Sequence, residues 1–313
     1  MKLRRRLHIE IRFTFLASLA LVAATFHSAR GQQSPQFTQY MSSQLWINPA
    51  YAGADDALNI ALLYRSQWAN VDGSPITQAL TAHSLVKNEK LGMGLTIIND
   101  KIGIHSALDA HPSFSYRILF KKGTFLAFGL QAGVQYRNSD YAQLSNQVQN
   151  ANDPGLSSTS VSQTAFDVGT GIYFKTPKLS LGLSVPSMMN TYYNSSEFDF
   201  SKNAYYFLGN YTFRVNSNFK LQPGLLLKYL NGLPLSFDAN LTGNINEVLF
   251  LGVTYRSQSS LNGMCQVKIT PQLTFGYAYD YPLPSNDILS SYSNEFLVSY
   301  LFDFYKKKIS NAR

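Results

Sequence analysis

Charge is scarce in this chain. Asp, Glu, Lys and Arg together make up 14% of its 313 residues, where soluble domains carry about 25%. A chain so poor in charge needs either an apolar partner phase or a very large core. Long apolar runs are missing too: beyond the first thirty residues none reaches the roughly 20 residues that a spanning helix requires, and the mean hydropathy is only −0.11. Cysteine is almost absent. With Cys265 alone, no intramolecular disulfide and no Cys-based zinc site can form, and no cysteine follows the N-terminal leader to carry a lipid anchor. His83, His105 and His111 stand apart from one another, without the spacing of metal ligands. There is no G-x-S-x-G elbow, no P-loop and no H-E-x-x-H motif. No catalytic residue, metal or cofactor is therefore expected. Gly92-Met93-Gly94 and Gly169-Thr170-Gly171 are lone G-x-G pieces, read as relief of crowding on an inner wall. Asp55-Asp56 reads as a solvated turn in preference to a cation site.

The net charge of +8 sits at the two ends. Residues 1–31 carry +5 and the tail from Lys306 to Arg313 carries +4, which leaves residues 32–304 at −1. No basic surface for nucleic acid is implied. The N-terminal end has the layout of a secretory signal peptide: basic Lys2 to Arg6, apolar Phe13 to Phe26, then small residues at Ala29-Arg30-Gly31 before a cut ahead of Gln32. The alternative is an N-terminal membrane anchor.

What the chain has in abundance is aromatic residues, 14%, and period-two alternation. In 123–136, Leu126, Phe128, Leu130, Ala132, Val134 and Tyr136 fall on one face, and Gly129, Gln131, Gly133 and Gln135 on the other. In 272–281, Phe275, Tyr277, Tyr279 and Tyr281 alternate with small or polar residues. This is strand spacing, not helical spacing. Fourteen such segments are read: 57–65, 76–86, 90–100, 105–118, 123–136, 163–174, 178–185, 202–214, 219–229, 233–243, 248–256, 261–269, 272–281 and 292–304. Alternate connections are tight, as at 87–89, 119–122, 175–177, 215–218, 244–247 and 270–271. The intervening ones tend to be longer, as at 66–75, 138–162, 186–201 and 282–291. Short turns on one rim and long loops on the other mark an antiparallel outer-membrane β-barrel with its short turns in the periplasm. The ending Phe296, Val298, Tyr300, Phe302, Phe304 fits as well, with aromatic girdles at the two interfaces. The competing reading of the aromatics is the core of a soluble sandwich.

Two segments break the rhythm. Residues 36–53 contain Gln39, Tyr40, Asn48, Pro49 and Tyr51; their mix of apolar and amide side chains suits a periplasmic segment or a plug packed in a lumen. Residues 64–78 contain Arg65, Gln67, Trp68 and Asp72. An exposed Trp and Arg in a loop are typical binding anchors, and the alternative is a loop folded inward. These nine are the candidate binding residues. Arg65, Asp167, Arg214, Lys228, Asp238, Arg256 and Asp280 are candidates to face the lumen, there to pair or to tune a pore.

Gln39-Tyr40-Met41 with Asn48-Pro49-Ala50-Tyr51-Ala52-Gly53, followed by Tyr64-Arg65-Ser66-Gln67-Trp68 and Asp72-Gly73-Ser74-Pro75, resembles the PorP/SprF family. These are outer-membrane proteins of the Bacteroidetes type IX secretion and gliding machinery. The resemblance is sharpest over residues 36–86. It implies a barrel that works with periplasmic secretion components and retains or presents secreted clients, adhesins included, through their C-terminal sorting domains. It brings no catalytic residues.

The expectation is thus a signal peptide at 1–31, a periplasmic or plug segment at 32–56, a lipid-embedded barrel of about 14 strands at 57–304, and a basic tail at 305–313. The partners expected are outer-membrane lipid, a secreted client and periplasmic secretion components, with no nucleic acid. A passive porin or small-solute channel is the alternative function, and a secreted soluble adhesin a third.

Overall fold

A computed structural model describes residues 35–86, 90–121, 123–144, 160–192, 195–198, 203–257, 259–283 and 291–302. The leader, the basic tail and Phe304 lie outside the described residues. The alternating segments are strands: β1 (Leu58–Ser66), β2 (Ile76–Leu85), β3 (Leu91–Ile102), β4 (His105–Lys121), β5 (Thr124–Ser139), β6 (Val161–Lys175) and β7 (Leu179–Val185). A small hairpin, β8 (Met189–Tyr192) with β9 (Ser195–Phe198), lies within the next connection and forms a sheet of its own. The wall resumes with β10 (Ala204–Tyr211), prolonged by β11 (Phe213–Arg214), then β12 (Phe219–Leu230), β13 (Ser236–Ile245), β14 (Leu249–Arg256), β15 (Ser260–Lys268), β16 (Leu273–Pro282) and β17 (Ser293–Phe302). Counting β10 and β11 as one, fourteen strands form the wall.

Every wall strand runs antiparallel to its neighbours. The ring closes where β1 meets β17, with Leu58 opposite Phe302 and Arg65 opposite Glu295. On the far side β10 joins β7 through Tyr206↔Ser184 and β12 through Tyr206↔Lys228. The closed sheet has no free margins, which excludes a two-sheet sandwich and with it the soluble adhesin. Among the described residues no helix is long and apolar enough to cross a membrane; the helical pieces are two 3-10 turns, Pro49–Tyr51 and Tyr141–Leu144.

Burial runs opposite to that of a soluble protein. Phe166 is 74% and Leu130 66% exposed, while Asp167 is 1% and Glu295 0% exposed. Apolar side chains therefore cover the outside and polar ones the lumen, the arrangement a barrel needs when lipid surrounds it. In β5 the exposed face carries Phe128, Leu130, Val134 and Tyr136. Exposed aromatics gather near both ends of the wall: Tyr64, Tyr136, Tyr229 and Tyr281 toward the longer loops, Phe120, Phe213 and Tyr300 toward the tight turns. Rings with a polar tip favour these interfacial levels.

Connections on the tight-turn rim are short throughout, at most five residues, as at 122–123 and 246–248. The other rim is uneven. It carries the long connections 67–75, 140–160, 186–203 and 283–292, but also a two-residue turn at 103–104 and a three-residue one at 257–259. Strand length varies as well: β4 has 17 residues and β7 only 7. At about 3.3 Å per residue and a tilt of about 45°, β4 to β6 overreach an apolar band about 25 Å tall. They stand proud of the membrane on the long-loop side, where Arg137 is paired with Asp109.

Leu130 tests the assignment of faces. Leu130→Arg should cost about 2–4 kcal/mol of folding free energy in lipid vesicles, measured by urea unfolding. Equal tolerance of arginine at Leu130 and at an exposed long-loop residue such as Asp72 would contradict a lipid-facing position.

Candidate functional site

The lumen is occupied by the chain's own N-terminal segment. Residues 37–54 have no strand or helix periodicity, and Asn48-Pro49 and Gly53 break any regular run. Most of these residues are nonetheless buried: Tyr40, Leu45, Ala50 and Ala52 are each 1% exposed or less. Irregular backbone at this depth must find partners for its N–H and C=O groups, and the side chains of the wall supply them. Asn48 works in both directions. Its Oδ1 accepts from Ala50 N at 2.9 Å, capping the Pro49–Tyr51 turn, and its Nδ2 donates to Ile172 O on β6 at 3.0 Å. Ser115 Oγ donates to Ala52 O at 2.7 Å, and Ser184 Oγ to Ile47 O at 2.8 Å. Glycines in the wall make room. A Cβ at Gly92 would overlap Ala52 O, one at Gly129 would overlap Ala50 N, and one at Gly171 would overlap Asn48 Oδ1. Apolar anchors complete the seat: Phe37 packs on Trp46 with centroids 4.6 Å apart, and Tyr51 meets Tyr173 edge-on at 5.3 Å.

Toward the long-loop end the segment is held by buried ions. Glu295 receives Thr38 N and Gln39 N, each at 2.8 Å, one on each carboxylate oxygen, and pairs with Arg65 at 3.1 Å. Arg65 also meets Asp280 at 2.6 Å, and Asp280 accepts from Thr38 Oγ1 at 2.7 Å. Arg256 pairs with Asp238 at 2.9 Å and donates to Phe37 O at 3.2 Å. Two arginines and three carboxylates thus meet on a stretch of main chain, and each charge has both an opposite charge and hydrogen bonds, as burial of ions demands.

Toward the tight turns the grip is different. Arg117 donates to Gly53 O and pairs with Asp56 at 2.7 Å, Lys175 Nζ donates to Ala54 O at 2.9 Å, and Gly53 N donates to His83 Nδ1 at 3.2 Å. Asp55 accepts from Asn59 Nδ2 at 2.7 Å and from Tyr51 OH at 3.0 Å. Burial raises the pKa of Asp55, but the neighbouring His83 and Lys175 and these two hydrogen bonds outweigh it, so the carboxyl lies below its ordinary value. Its stabilising contribution is present at neutral pH and fades as the pH falls through that lowered value. Below the segment the lumen is open to the tight-turn rim as a cavity of about 590 Å³, roofed by Met41, Ser42 and Gln44.

A second lumenal acid ties down a loop. Asp167 on β6 accepts from Met188 N at 3.2 Å and Met189 N at 3.0 Å, with His111 Nε2 at 3.2 Å and Gln135 Nε2 at 3.1 Å beside it. Gln131 Nε2 donates to Pro186 O at 2.6 Å. The first residues after β7, Pro186 to Met189, are thereby held against the inner wall.

Of the candidate binding residues, Gln39, Tyr40, Asn48, Pro49 and Tyr51 lie together inside the barrel. Arg65 joins them from the wall: it is a lumen-facing strand residue, 4% exposed, and not a loop anchor. Gln67, Trp68 and Asp72 lie apart from these, at the long-loop rim. Asp72 is exposed; Trp68 is half-buried, with φ of 53° and its N–H directed to Ser293 Oγ at 3.3 Å. Arg214 is an exposed residue at the tight-turn end and does not pair within the lumen. His83 and His111, isolated along the chain, have acidic neighbours in space, Asp55 and Asp167. Asp55 is engaged by protein groups, and among the described residues no cluster of three or more His, Cys, Asp or Glu could hold a metal. Glu295, the central acid, and Arg117 were not singled out from the sequence. The signal for Glu295 is an acid at an inward position of β17, in alternation with the outward Phe296.

The family described as "Type IX secretion system membrane protein PorP/SprF" matches residues 29–303. The chain belongs to the PorP/SprF family. No curated protein sequence matches it. Among solved structures it is similar to the CymD monoaromatic hydrocarbon channel, with 13% identity, 88% of this chain and 95% of the other covered, and a TM-score of 0.52. It also matches the outer-membrane protein Omp33 of Acinetobacter baumannii at 9% identity, 79% and 99% coverage and a TM-score of 0.46. A FadL homologue of Pseudomonas aeruginosa matches at 12% identity, 83% and 94% coverage and a TM-score of 0.44. At such identities the likeness is one of fold. This PorP/SprF protein is an outer-membrane β-barrel of the type IX secretion system family.

Glu295→Ala would leave two main-chain N–H groups without their acceptor and Arg65 with Asp280 as its one remaining carboxylate partner. Breaking a buried pair in this way should cost about 3–5 kcal/mol and expose residues 35–54 to protease in otherwise folded barrels. Gly129→Val should expose the same stretch by displacing Ala50. Unchanged protection in both variants would mean that these contacts do not hold the segment.

Proposed function

We propose that this protein binds secreted client proteins, adhesins among them, and anchors them at the cell surface, while its tight-turn rim engages periplasmic components of the secretion system. The observation that supports this reading is the filled lumen. A barrel whose interior holds Phe37 to Ala54 on buried ions and glycine seats offers no passage to a polypeptide, so it acts through its two rims. The long-loop rim carries Gln67, Trp68 and Asp72 together with the tall wall of β4 to β6, and it is the surface proposed for clients, which would be recognised through their C-terminal sorting domains. Gln39, Tyr40, Asn48, Pro49, Tyr51 and Arg65 then contribute indirectly, by fixing the segment and the barrel around it. The role is one of binding, not catalysis.

Deleting the gene and cataloguing surface proteins tests this. At least one secreted protein should leave the cell surface for the medium or accumulate inside the cell; a surface complement identical to the parent would refute the reading. Trp68→Ala should weaken retention of that client without lowering the amount of barrel.

A channel is the second reading, favoured by the cavity of about 590 Å³ that opens on one rim. Planar bilayers separate the two. A filled lumen predicts conductance only after residues 35–54 are removed, whereas steady conductance of the intact protein would favour the channel.

A further inference from the structure

The cavity beneath the N-terminal segment has two ends of different character. Met41, Ser42 and Gln44 line it on the side of the segment, and Thr176 to Lys178, Pro271 and Gln272 line it at the tight-turn rim, which faces the periplasm in an outer-membrane barrel. Its charges are uneven. Asp55 and Asp56 are the acids that line it, and both are engaged: Asp55 by Tyr51, Asn59 and His83, and Asp56 by Arg117. Lys175 is turned onto Ala54 O. Lys178 and Lys268 also line the opening, Lys268 with its ammonium 5.6 Å from the Phe250 ring centroid. Beside them Arg214 and Lys220 gather, with Lys268, around the single acid Glu247, and together they hold its carboxyl below the ordinary range. Among the described residues, with Asp55 and Asp56 already engaged, Lys178, Lys268, Arg214 and Lys220 face the one further carboxylate of Glu247 and leave the mouth positive. Inside, Asn210, Gln222 and Gln266 present amide oxygens, their NH2 groups donating to Ser180, Thr212, and Gln39 with Ser42; Gln272 lies at the rim, and Tyr173, Met264 and Leu297 form packed wall.

We propose that this cup is a socket for an acidic, extended polypeptide segment of a periplasmic protein. The chemistry of the lining selects that occupant. Amide oxygens offer acceptors to the N–H groups of a main chain that brings no secondary structure of its own, as Glu295 does for Thr38 and Gln39. The lysines at the mouth receive carboxylates and steer the segment inward. Anionic lipid headgroups are the poorer match, because Lys178 and Lys268 line the lumen and not the lipid-facing side. The chain's own end is poorer still: Lys306, Lys307 and Lys308 follow shortly after β17 and would be repelled by the same cations. This proposal rests on the reading that the tight-turn rim meets periplasmic components, and it names the chemistry of the partner.

The test uses the full mature protein in detergent and two fluorescent 12-residue peptides, one of alternating Glu and Ser and one of alternating Lys and Ser, read by anisotropy. The acidic peptide should bind and the basic one should not. Because the contacts are solvent-facing charges, binding should weaken as salt rises past physiological strength, where the screening length is about 8 Å. Lys178→Glu with Lys268→Glu should weaken it by roughly tenfold or more, whereas Asn231→Lys, an exposed residue in the connection after β12 on the opposite rim, should leave it unchanged. Equal binding of both peptides, indifference to the double reversal, or full competition by phosphatidylglycerol micelles would overturn the socket. Its failure is separable from failure of the anchoring role, since peptide binding is measured on purified protein and client retention on cells.

Discussion

Backbone buried in a barrel without regular structure must have its polar groups met one by one, and that constraint organises this molecule. The wall strands satisfy one another through the ladder. The N-terminal segment cannot, and so the inward faces of the wall are devoted to it. Asn48, Ser115, Ser184, Arg117, Lys175 and Glu295 each supply a bond to main chain that has no ladder of its own. The composition follows: few charges overall, most of the buried ones gathered inside, and wall glycines where the segment comes closest.

The buried ions add specificity beyond adhesion. A purely apolar lumen would accept a greasy segment in many registers, whereas Glu295 accepts two consecutive N–H groups and is itself fixed by Arg65. Such a network defines one seating, because every displaced alternative leaves charge unpaired in a low-dielectric interior. The same logic sets Asp167 beneath the connection after β7. Two lumenal acids therefore organise two irregular stretches, the segment ahead of β1 and the start of the connection after β7.

The strand rhythm is legible in the sequence because the two faces of each strand meet different media. Phe128 and Leu130 against Gly129 and Gln131 can be sorted without coordinates, and all fourteen segments reappear with ends shifted by only a few residues. The N-terminal segment can be recognised as exceptional for the converse reason, since Gln39, Asn48 and Pro49 fit no period. Its contacts are not legible. Which side chains meet Thr38 depends on closure of the ring, which brings positions 257 residues apart within 2.8 Å. Arg65 illustrates the gap. At the edge of a turn-rich stretch it reads both as a loop anchor and as a lumen-facing charge; β1 extends through Ser66 and turns it into the lumen, but its partners Asp280 and Glu295 come from the far end of the chain. His83 and His111 are isolated only along the chain, because their acidic neighbours come from other elements.

The clasp between the first and last parts of the chain has a consequence for biogenesis. Thr38 and Gln39 emerge early in synthesis, and the carboxylate that receives them belongs to β17, which is also the strand that seals the ring against β1. Sealing and seating are therefore one event: until the hairpin of β16 and β17 arrives, the segment lacks its central acceptor, and once the seam is zipped it is already enclosed. An assembly factor that guides the final strand home would in the same motion cork the vessel, so newly inserted barrels would not pass through a leaky stage.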